Sequence, residues 1–450
     1  MALTALDIYK LLPRTNCKEC GFPTCLAFAM QMAAGKAGID KCPPASDEAK
    51  AALGAASSPP LPRIVVGTGD GAVTMGDEVV MFRHEKTFYH PTAIAISVSD
   101  SLDGEALEER LRSISSLSFE RMGQPLAVDM VAVRFDSGDP ARFVITAAAS
   151  LARCGKPLML MGNCAALSAA LPKVAASRPL LCPPPDEVEA GARSAASEKL
   201  PMVVRARGIE GLEGAIAAAR AAGATEIVGD TMPADAAHAV ADSIHLRRLA
   251  IIHRAREMAC PAAFDLGRGF PRPFEAASLL LSKYGSLLVL DTADPAEIFP
   301  LLTLRQNIFT DPQRPIQVEP GIYPIGKTSP SSPVLITTNF SLTYFTVRSD
   351  VEAAKTPAYL LIAECDGMSV LTAWAAGRFT SESIAGLLAD SGIAGKVEHR
   401  SLILPGMVAR LSGRIEELSG WRVLVGPQES SALPSYLRRL PPAAFVPVHG

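Results

Sequence analysis

The chain has 450 residues, 48% of them hydrophobic and 6% aromatic, with 43 Lys and Arg against 46 Asp and Glu. That length carries a prior of about two to four domains, each with enough apolar residues to bury a core. The near balance of charge and the scarcity of aromatic rings argue against a nucleic-acid or anionic-membrane surface, and no apolar run reaches the ~18 to 20 residues of a membrane span.

The start, Met-Ala-Leu-Thr-Ala-Leu-Asp, lacks the basic and apolar regions of a secretory leader. With nine cysteines, an odd number, this reads as a cytoplasmic protein in a reducing compartment. A helix is expected over residues 3–12, ended by Pro13. The stretch Asn16–Pro44 then holds Cys17, Cys20, Cys25 and Cys42 in the pattern C-x2-C-x4-C-x16-C, with Gly21 and Pro23 inside its tight part and Pro43 after the last thiol. A loop that points three sulfurs at one centre needs turns, and Gly and Pro supply them. Leu26–Ala34 reads as a helix broken at Gly35 and Gly38, so the fourth thiol arrives from its far end. Four converging thiolates imply a metal. Structural zinc uses paired C-x2-C knuckles, whereas one such pair, a C-x4-C and a Cys-Pro lie closer to the ligand runs of iron–sulfur proteins. A further helix follows from Ser46. Residues 1–57 form this module, too small to hold without a staple, and Ser57-Ser58-Pro59-Pro60-Leu61-Pro62 reads as a semi-rigid linker.

Apolar runs at Ile64–Val66 and Glu78–Phe82 flank a glycine cluster, Gly67-Thr68-Gly69-Asp70-Gly71. No amphipathic helix follows it, so a hairpin turn is favoured over a phosphate loop. From Thr92, strands are expected at Ala93–Val98, Met130–Val133, Leu158–Met161, Pro179–Leu181, Met202–Val204, Glu226–Val228, Ala262–Phe264 and Leu287–Leu290, each followed by helical composition. Eight strands alternating with helices are the count of a (β/α)8 TIM barrel, here residues 58–312 with the hairpin. The residues just past the strands are Asp100, Arg134, Asp136, Asn163, Cys164, Cys182, Arg205, Arg207, Asp230, Asp265 and Asp291. They form either a catalytic rim or a structural one, in which Asp100 and Asp291 cap the next helices and the arginines pair with acids. Cys154, Cys164, Cys182 and Cys260 are dispersed and read as buried small hydrophobes.

A Pro- and Gly-rich linker runs from Thr310 to Pro333. Beyond it, strands at Val334–Thr337, Ala358–Ala363, Ser401–Leu404 and Arg422–Val425, with helices at Ser381–Ala389, Val408–Leu418 and Glu429–Arg439, describe a small doubly wound α/β domain, residues 325–450. Ligands of such domains sit at the carboxyl ends of the strands. Those ends carry Thr337–Thr343, Asp366–Val370, Pro405-Gly406 and Gly426–Ser430, which offer hydroxyls, backbone N–H groups and glycines but few charges. Such a rim suits a large, nearly neutral ligand; ordinary helix capping by Ser and Thr is the other reading. The tail, Pro441–Gly450, is apolar and Pro-rich and reads as disordered.

The run N-C-x-E-C-G-x-P-T-C-L-A-F-A-M with Cys42-Pro43, together with T-T-N-F-S-L-T-Y and D-G-M-S-V-L-T-A-W near the other end, resembles the large (gamma) subunit of the corrinoid iron–sulfur protein of the acetyl-CoA decarbonylase/synthase system. The likeness spans essentially the whole chain. It implies a 4Fe-4S cluster on Cys17, Cys20, Cys25 and Cys42, a central barrel, and a corrinoid (B12-type cobamide) in the C-terminal domain. It further implies corrinoid contacts from Thr337, Thr343, Gly367, Met368, Ser369, Val370 and Ser430. The function it implies is that of a methyl carrier. The cobalt, as Co(I), accepts methyl from methyltetrahydrofolate, or a tetrahydromethanopterin analogue, through a methyltransferase and passes it to acetyl-CoA synthase. The cluster returns an electron when cobalt is oxidised to Co(II). Implied partners are a small subunit forming a heterodimer, the methyltransferase, the synthase and a low-potential donor such as ferredoxin.

The histidines agree from a second side. No D-x-H-x-x-G run occurs, and none of the seven histidines lies in the four loops, which predicts a base-off corrinoid without a protein histidine ligand. Removing an axial donor makes Co(II) easier to reduce, which suits a cluster-driven rescue. Ser430 stands where alanine is equally expected. The rival reading is a stand-alone iron–sulfur redox enzyme acting at the barrel mouth. Serving several partners from one cobalt requires that residues from about 325 onward swing on the second linker.

Overall fold

In the computed structural model the described residues are 5–33, 37–50, 53, 59–310, 315–441 and 445. The helix break at Gly35, Ser57-Ser58 of the first linker, Asp311–Arg314 of the second and most of the tail lie outside them. The chain divides into two compact units, Met1–Phe119 with Leu126–Phe309, and Glu120–Pro125 with Thr310–Gly450.

At the start of the first unit, α1 (Ala5–Leu11) and α2 (Cys25–Ala33) pack on one another. The Thr24 hydroxyl accepts the N–H of Ala27 at 3.0 Å and so begins α2. Among the described residues the core they share holds ten buried residues, including Ile8, Leu12, Phe28 and Met32, and two of the ten are Cys25 and Cys42. So small a core supplies little stability of its own.

The barrel strands are β1 (Ala93–Ser99), β2 (Met130–Arg134), β3 (Leu158–Met161), β4 (Leu180–Cys182), β5 (Met202–Arg205), β6 (Ile227–Asp230), β7 (Ala262–Asp265) and β8 (Gly285–Leu290). They pair in parallel in chain order, and β8 closes on β1. The predicted eight strands are therefore present, each within a residue or two of its expected bounds. Alternate residues point inward, as Ala93, Ala95, Met130, Ala132, Met159, Val203, Val228 and Leu287 do, and fill the barrel. The opposite faces of the strands and the surrounding helices build the larger core.

Ile64–Val66 forms a hairpin, but its partner is Val73–Met75. Ile64, Val66 and Met75 join the barrel's interior core, and Gly67 donates its N–H to the Arg178 carbonyl at 2.9 Å. The hairpin thus floors the barrel. Glu78–Phe82, expected as the second strand, is not one. The Val80 carbonyl, which a ladder would use, instead accepts from Arg247 Nε at 3.1 Å, and the Glu78 carboxylate is buried against the Tyr89 N–H at 2.8 Å.

The second unit holds a sheet of five strands: β9 (Gly321–Ile325), β10 (Val334–Thr338), β11 (Ala358–Ala363), β12 (Ser401–Leu404) and β13 (Arg422–Val425), in the order β9-β11-β10-β12-β13. The last four are parallel; β9 is an antiparallel edge strand carved from what reads in sequence as linker. Pro324 is tolerated because an edge leaves its missing N–H unneeded. Helices cover both faces. Ser341–Ala354 and Leu433–Arg439 pack on Leu335, Leu360 and Ile403, while Val370–Ala375, Ser381–Asp390 and Ser412–Ser419 cover Ile336, Leu361 and Leu402. From β10 the chain moves first to one side, to β11, and then to the other, to β12. The carboxyl ends of β10 and β12 are therefore the topological switch point, where doubly wound sheets open a crevice. In the tail, the Phe445 ring lies 5.0 Å from that of His399, so this residue is packed rather than disordered.

Candidate cofactor sites

The thiol loop is shaped by its backbone. Asn16, Lys18 and Gly21 all take positive φ, and the Asn16 Oδ1 accepts the N–H of Cys25 at 2.8 Å, tying the start of the loop to the start of α2. Cys25 and Cys42 are buried, Cys20 is half-buried and Cys17 is exposed. Burial, and then the charges of Cys20, Cys17 and Cys25, push the Cys42 thiol up from its ordinary value. Among the described residues no three His, Cys, Asp or Glu side chains stand close enough to enclose a metal ion. The set still fits a cluster by its chemistry, since a group of several cations is what stabilises four adjacent thiolates.

At the switch point of the C-terminal sheet lies a cleft of about 360 Å³ that opens to solvent. The end of β10 contributes Thr337, the helix Ser341–Ala354 that follows it Thr343 and Thr346, the turn into the helix Val370–Ala375 after β11 Ser369 and Val370, and the segments after β12 and β13 Pro405, Met407, Gln428 and Ser430. Its apolar rim is open to solvent: Leu342, Leu371 and Met407 are 50%, 45% and 39% exposed. Glu429 is the one charged residue among the described lining. The Thr337 hydroxyl is buried without any protein partner, as are those of Thr338 and Ser341 next to it. A buried hydroxyl left unpaired is costly. A large, mostly apolar molecule with amide or carbonyl edges fits this surface. No histidine is among the described residues that line it.

The structure brings five of the seven predicted corrinoid contacts to this cleft: Thr337, Thr343, Ser369, Val370 and Ser430. Gly367 and Met368 are not among its lining. Met368 packs into the core beneath the sheet, and Gly367 faces Gln317 and Pro315, which a Cβ would meet at 2.8 and 3.2 Å. Leu342, Leu371 and Met407 carry no signal in the sequence, since an exposed apolar side chain at the start of a helix looks like any core residue until the fold leaves it uncovered.

The charges at the barrel mouth pair with one another. Arg134 holds Asp265 with two bonds of 2.8 and 2.5 Å and reaches Asp291 at 3.4 Å. Arg205 joins Asp230 at 3.1 Å, and Arg268 pairs with Asp136. Burial lowers the Arg134 guanidinium, but Asp265 and Asp291 outweigh it and hold it above its usual value. Burial pushes the Asp230 carboxyl up. Asp100 and Asp291 do not cap the helices that follow them. Asp100 accepts from the backbone of Asp136 and Ser137 at 2.7 Å each, and Asp291 accepts from Ser97 at 2.5 Å and the Arg268 N–H at 2.7 Å. They stitch neighbouring loops together. Asn163 does cap its helix, through Ala166 N–H at 2.9 Å, and Arg207 precedes Gly208–Ala221 without a side-chain cap. Cys182 and Cys260 are buried as expected, their thiols pushed up to about 12, whereas Cys154 and Cys164 are only half-buried, with Cys164 raised to about 12 by burial and Glu187.

A thiol-rich module, a (β/α)8 barrel with ion-paired charges at its mouth and an α/β domain with a mostly apolar cleft together define a multidomain protein of three kinds of fold. The family described as "CO dehydrogenase/acetyl-CoA synthase delta subunit" matches residues 63–437, and one described as "Putative Fe-S cluster" matches residues 12–44. The corrinoid/iron–sulfur protein large subunit of Moorella thermoacetica is 43% identical over 442 residues, 97% of this chain and 99% of its own. The acetyl-CoA decarbonylase/synthase complex subunits gamma of Methanothermobacter thermautotrophicus and Archaeoglobus fulgidus are 35% and 36% identical, covering 98% and 96% of this chain and 99% and 97% of theirs. The chain belongs to this family, that of the corrinoid/iron–sulfur protein large subunit and the archaeal gamma subunits. Among solved structures, dihydropteroate synthase from Thermus thermophilus aligns with a TM-score of 0.36 and 19% identity, covering 47% of this chain and 91% of that one. No helix of the described residues is long and apolar enough to cross a membrane.

Proposed function

We propose that this protein is a methyl-group carrier of acetyl-CoA synthesis, with a corrinoid in the C-terminal cleft and a 4Fe-4S cluster in the N-terminal module. The observation that carries this is the neutral, apolar-rimmed cleft at the switch point, with the Thr337 hydroxyl buried and unpaired on its wall. When bound, the corrinoid supplies a cobalt that takes a methyl group from a pterin-dependent methyltransferase and yields it to acetyl-CoA synthase. The cluster supplies the electron that restores the cobalt to Co(I).

The chain's own residues do the holding. Thr337, Thr343, Ser369 and Ser430 offer hydroxyls to the amide edges of the corrinoid, and Leu342, Leu371 and Met407 cover its apolar faces. No histidine is among the described lining residues, so the described lining would offer cobalt no imidazole donor, and a cobalt without an axial donor would be easier to reduce. Cys17, Cys20, Cys25 and Cys42 would hold the cluster. The second unit presents the cofactor to its partners. Those partners are a small subunit, the methyltransferase, the synthase and a ferredoxin-type donor, all cytoplasmic. The test is an absorption spectrum with cobalt and iron analysis of protein purified anaerobically. A corrinoid spectrum and cluster iron in the same chain are expected; protein that takes up no corrinoid when it is supplied would refute the proposal.

A further inference from the structure

Asn339 is the first residue after β10, it is fully buried, and its side-chain amide uses both ends. Its Oδ1 accepts the N–H groups of Cys365 and Gly367, each at 3.0 Å. Its Nδ2 donates to Glu364 Oε1 at 2.9 Å and to Gln317 Oε1 at 3.4 Å. The same Glu364 oxygen takes the Asp366 N–H at 2.8 Å. The loop 364–368 is therefore wrapped around one amide. Asp366 and Gly367 both take positive φ, 53° and 69°, a conformation that turns alternate N–H groups toward a single acceptor.

The second partner of Asn339 is a strap, residues 315–318, lying between the second linker and β9. The Val318 N–H donates to the Asn339 carbonyl at 2.9 Å and the Ser341 N–H to the Ile316 carbonyl at 3.0 Å. Gln317 packs so close to Gly367 that a Cβ there would meet its Cγ at 2.8 Å. One side chain thus joins the loop that delivers Ser369 and Val370 to the cleft with the segment through which the domain is tethered.

We propose that Asn339 is a positioning residue that couples the grip on the corrinoid to the seating of the strap 315–318. Binding in the cleft fixes the loop 364–370, which fixes the strap; lifting the strap loosens the loop and releases the cofactor. This rests on the cleft being the corrinoid site. It assigns Gly367 a role through the strap rather than by contact with the ligand.

The test uses the full-length chain with and without added corrinoid, reading hydrogen exchange at the Val318 and Ser341 amides and the rate of corrinoid release. In the native protein, corrinoid should slow exchange at both amides about tenfold, since local opening then costs the cofactor contacts. Asn339→Asp keeps an acceptor for Cys365 and Gly367 but loses both donor bonds and places a carboxylate beside Glu364. It should release corrinoid about tenfold faster, a loss of one to two hydrogen bonds, and exchange at the two amides should no longer respond to corrinoid. Gln317→Ala, which leaves the loop's own bonds intact, should shift both readouts in the same direction and guards against a merely misfolded Asp variant. Amides indifferent to corrinoid in the native protein, or variants releasing at the native rate, would overturn the coupling alone. A native protein that binds no corrinoid would overturn the functional reading with it.

Discussion

Arg134 and Asp265, at the ends of β2 and β7, face each other across the barrel mouth in a two-pronged ion pair of 2.8 and 2.5 Å. Both are largely buried, so removing one partner strands the other's charge away from water. Arg134→Met should cost roughly 3 kcal/mol of stability, at the low end for such pairs because Arg205 still stands 3.7 Å from Asp265. Methyl transfer per folded molecule should stay nearly unchanged. Denaturant unfolding beside a transfer assay checks both; a loss of about a thousandfold in transfer, ~4 kcal/mol in the barrier, would place chemistry at the mouth.

Thr337→Val separates binding from stability. The hydroxyl has no protein partner, so an isosteric methyl removes an unsatisfied buried group and should leave the thermal midpoint of the corrinoid-free protein unchanged or raised. Corrinoid affinity should fall ~2- to 10-fold, the worth of one neutral hydrogen bond. Calorimetric titration of both proteins decides it.

His399 makes the C-terminal domain sensitive to acid. Its Nε2 donates to the Ser332 carbonyl at 2.9 Å and its Nδ1 accepts the Ser401 N–H at 3.2 Å, an arrangement only the neutral ring satisfies. Burial first, then Arg400, holds its pKa below the ordinary 6.5. The unfolded chain therefore binds a proton before the folded one does. The stability this contributes is complete above pH 6.5 and is lost as pH falls from there through the lower folded value. His399→Gln should flatten that part of the pH profile of unfolding, and an unchanged slope would count against the neutral ring.

Cys25→Ala should lose the cluster iron yet leave corrinoid uptake intact, because the two sites lie on separate units. The variant should still accept methyl when its cobalt is supplied as Co(I), but stall after oxidation. Zinc found in place of iron in the native protein would end this assignment.

The barrel is legible in the sequence because its strands are runs of apolar and β-branched residues at regular spacing, and the thiol loop because cysteine spacing is itself a ligand pattern. The edge strand β9 is not, since Gly321 and Pro324 read as linker and only an unpaired side of the sheet makes them acceptable. Asp100 and Asp291 read as helix caps because capping is a local signal. Their true partners, Ser137 across a loop and Ser97 on another strand, are 37 and 194 residues away. The loop Gly367–Val370 does reach the cleft as its position after a strand implies, but which of its residues face inward depends on Asn339, whose reach no spacing discloses.

The two walls of the cleft differ in compliance. On the side of β12 and β13, Gly406 donates to the Pro427 carbonyl at 3.1 Å and Gly426 to that of Leu404 at 2.8 Å. A Cβ on Gly406 would come within 2.5 Å of the Gly426 oxygen, so here main chain lies directly on main chain. That wall cannot yield, and any side chain added at Gly406 must push it bodily outward. On the opposite wall the loop 364–370 is held by side chains, the Asn339 amide chief among them. Clearance for a bulkier or slimmer tetrapyrrole is therefore more adjustable on the Asn339 side, and substitutions that retune which corrinoid is accepted should accumulate in residues 364–371 while the glycines at 406 and 426 stay fixed.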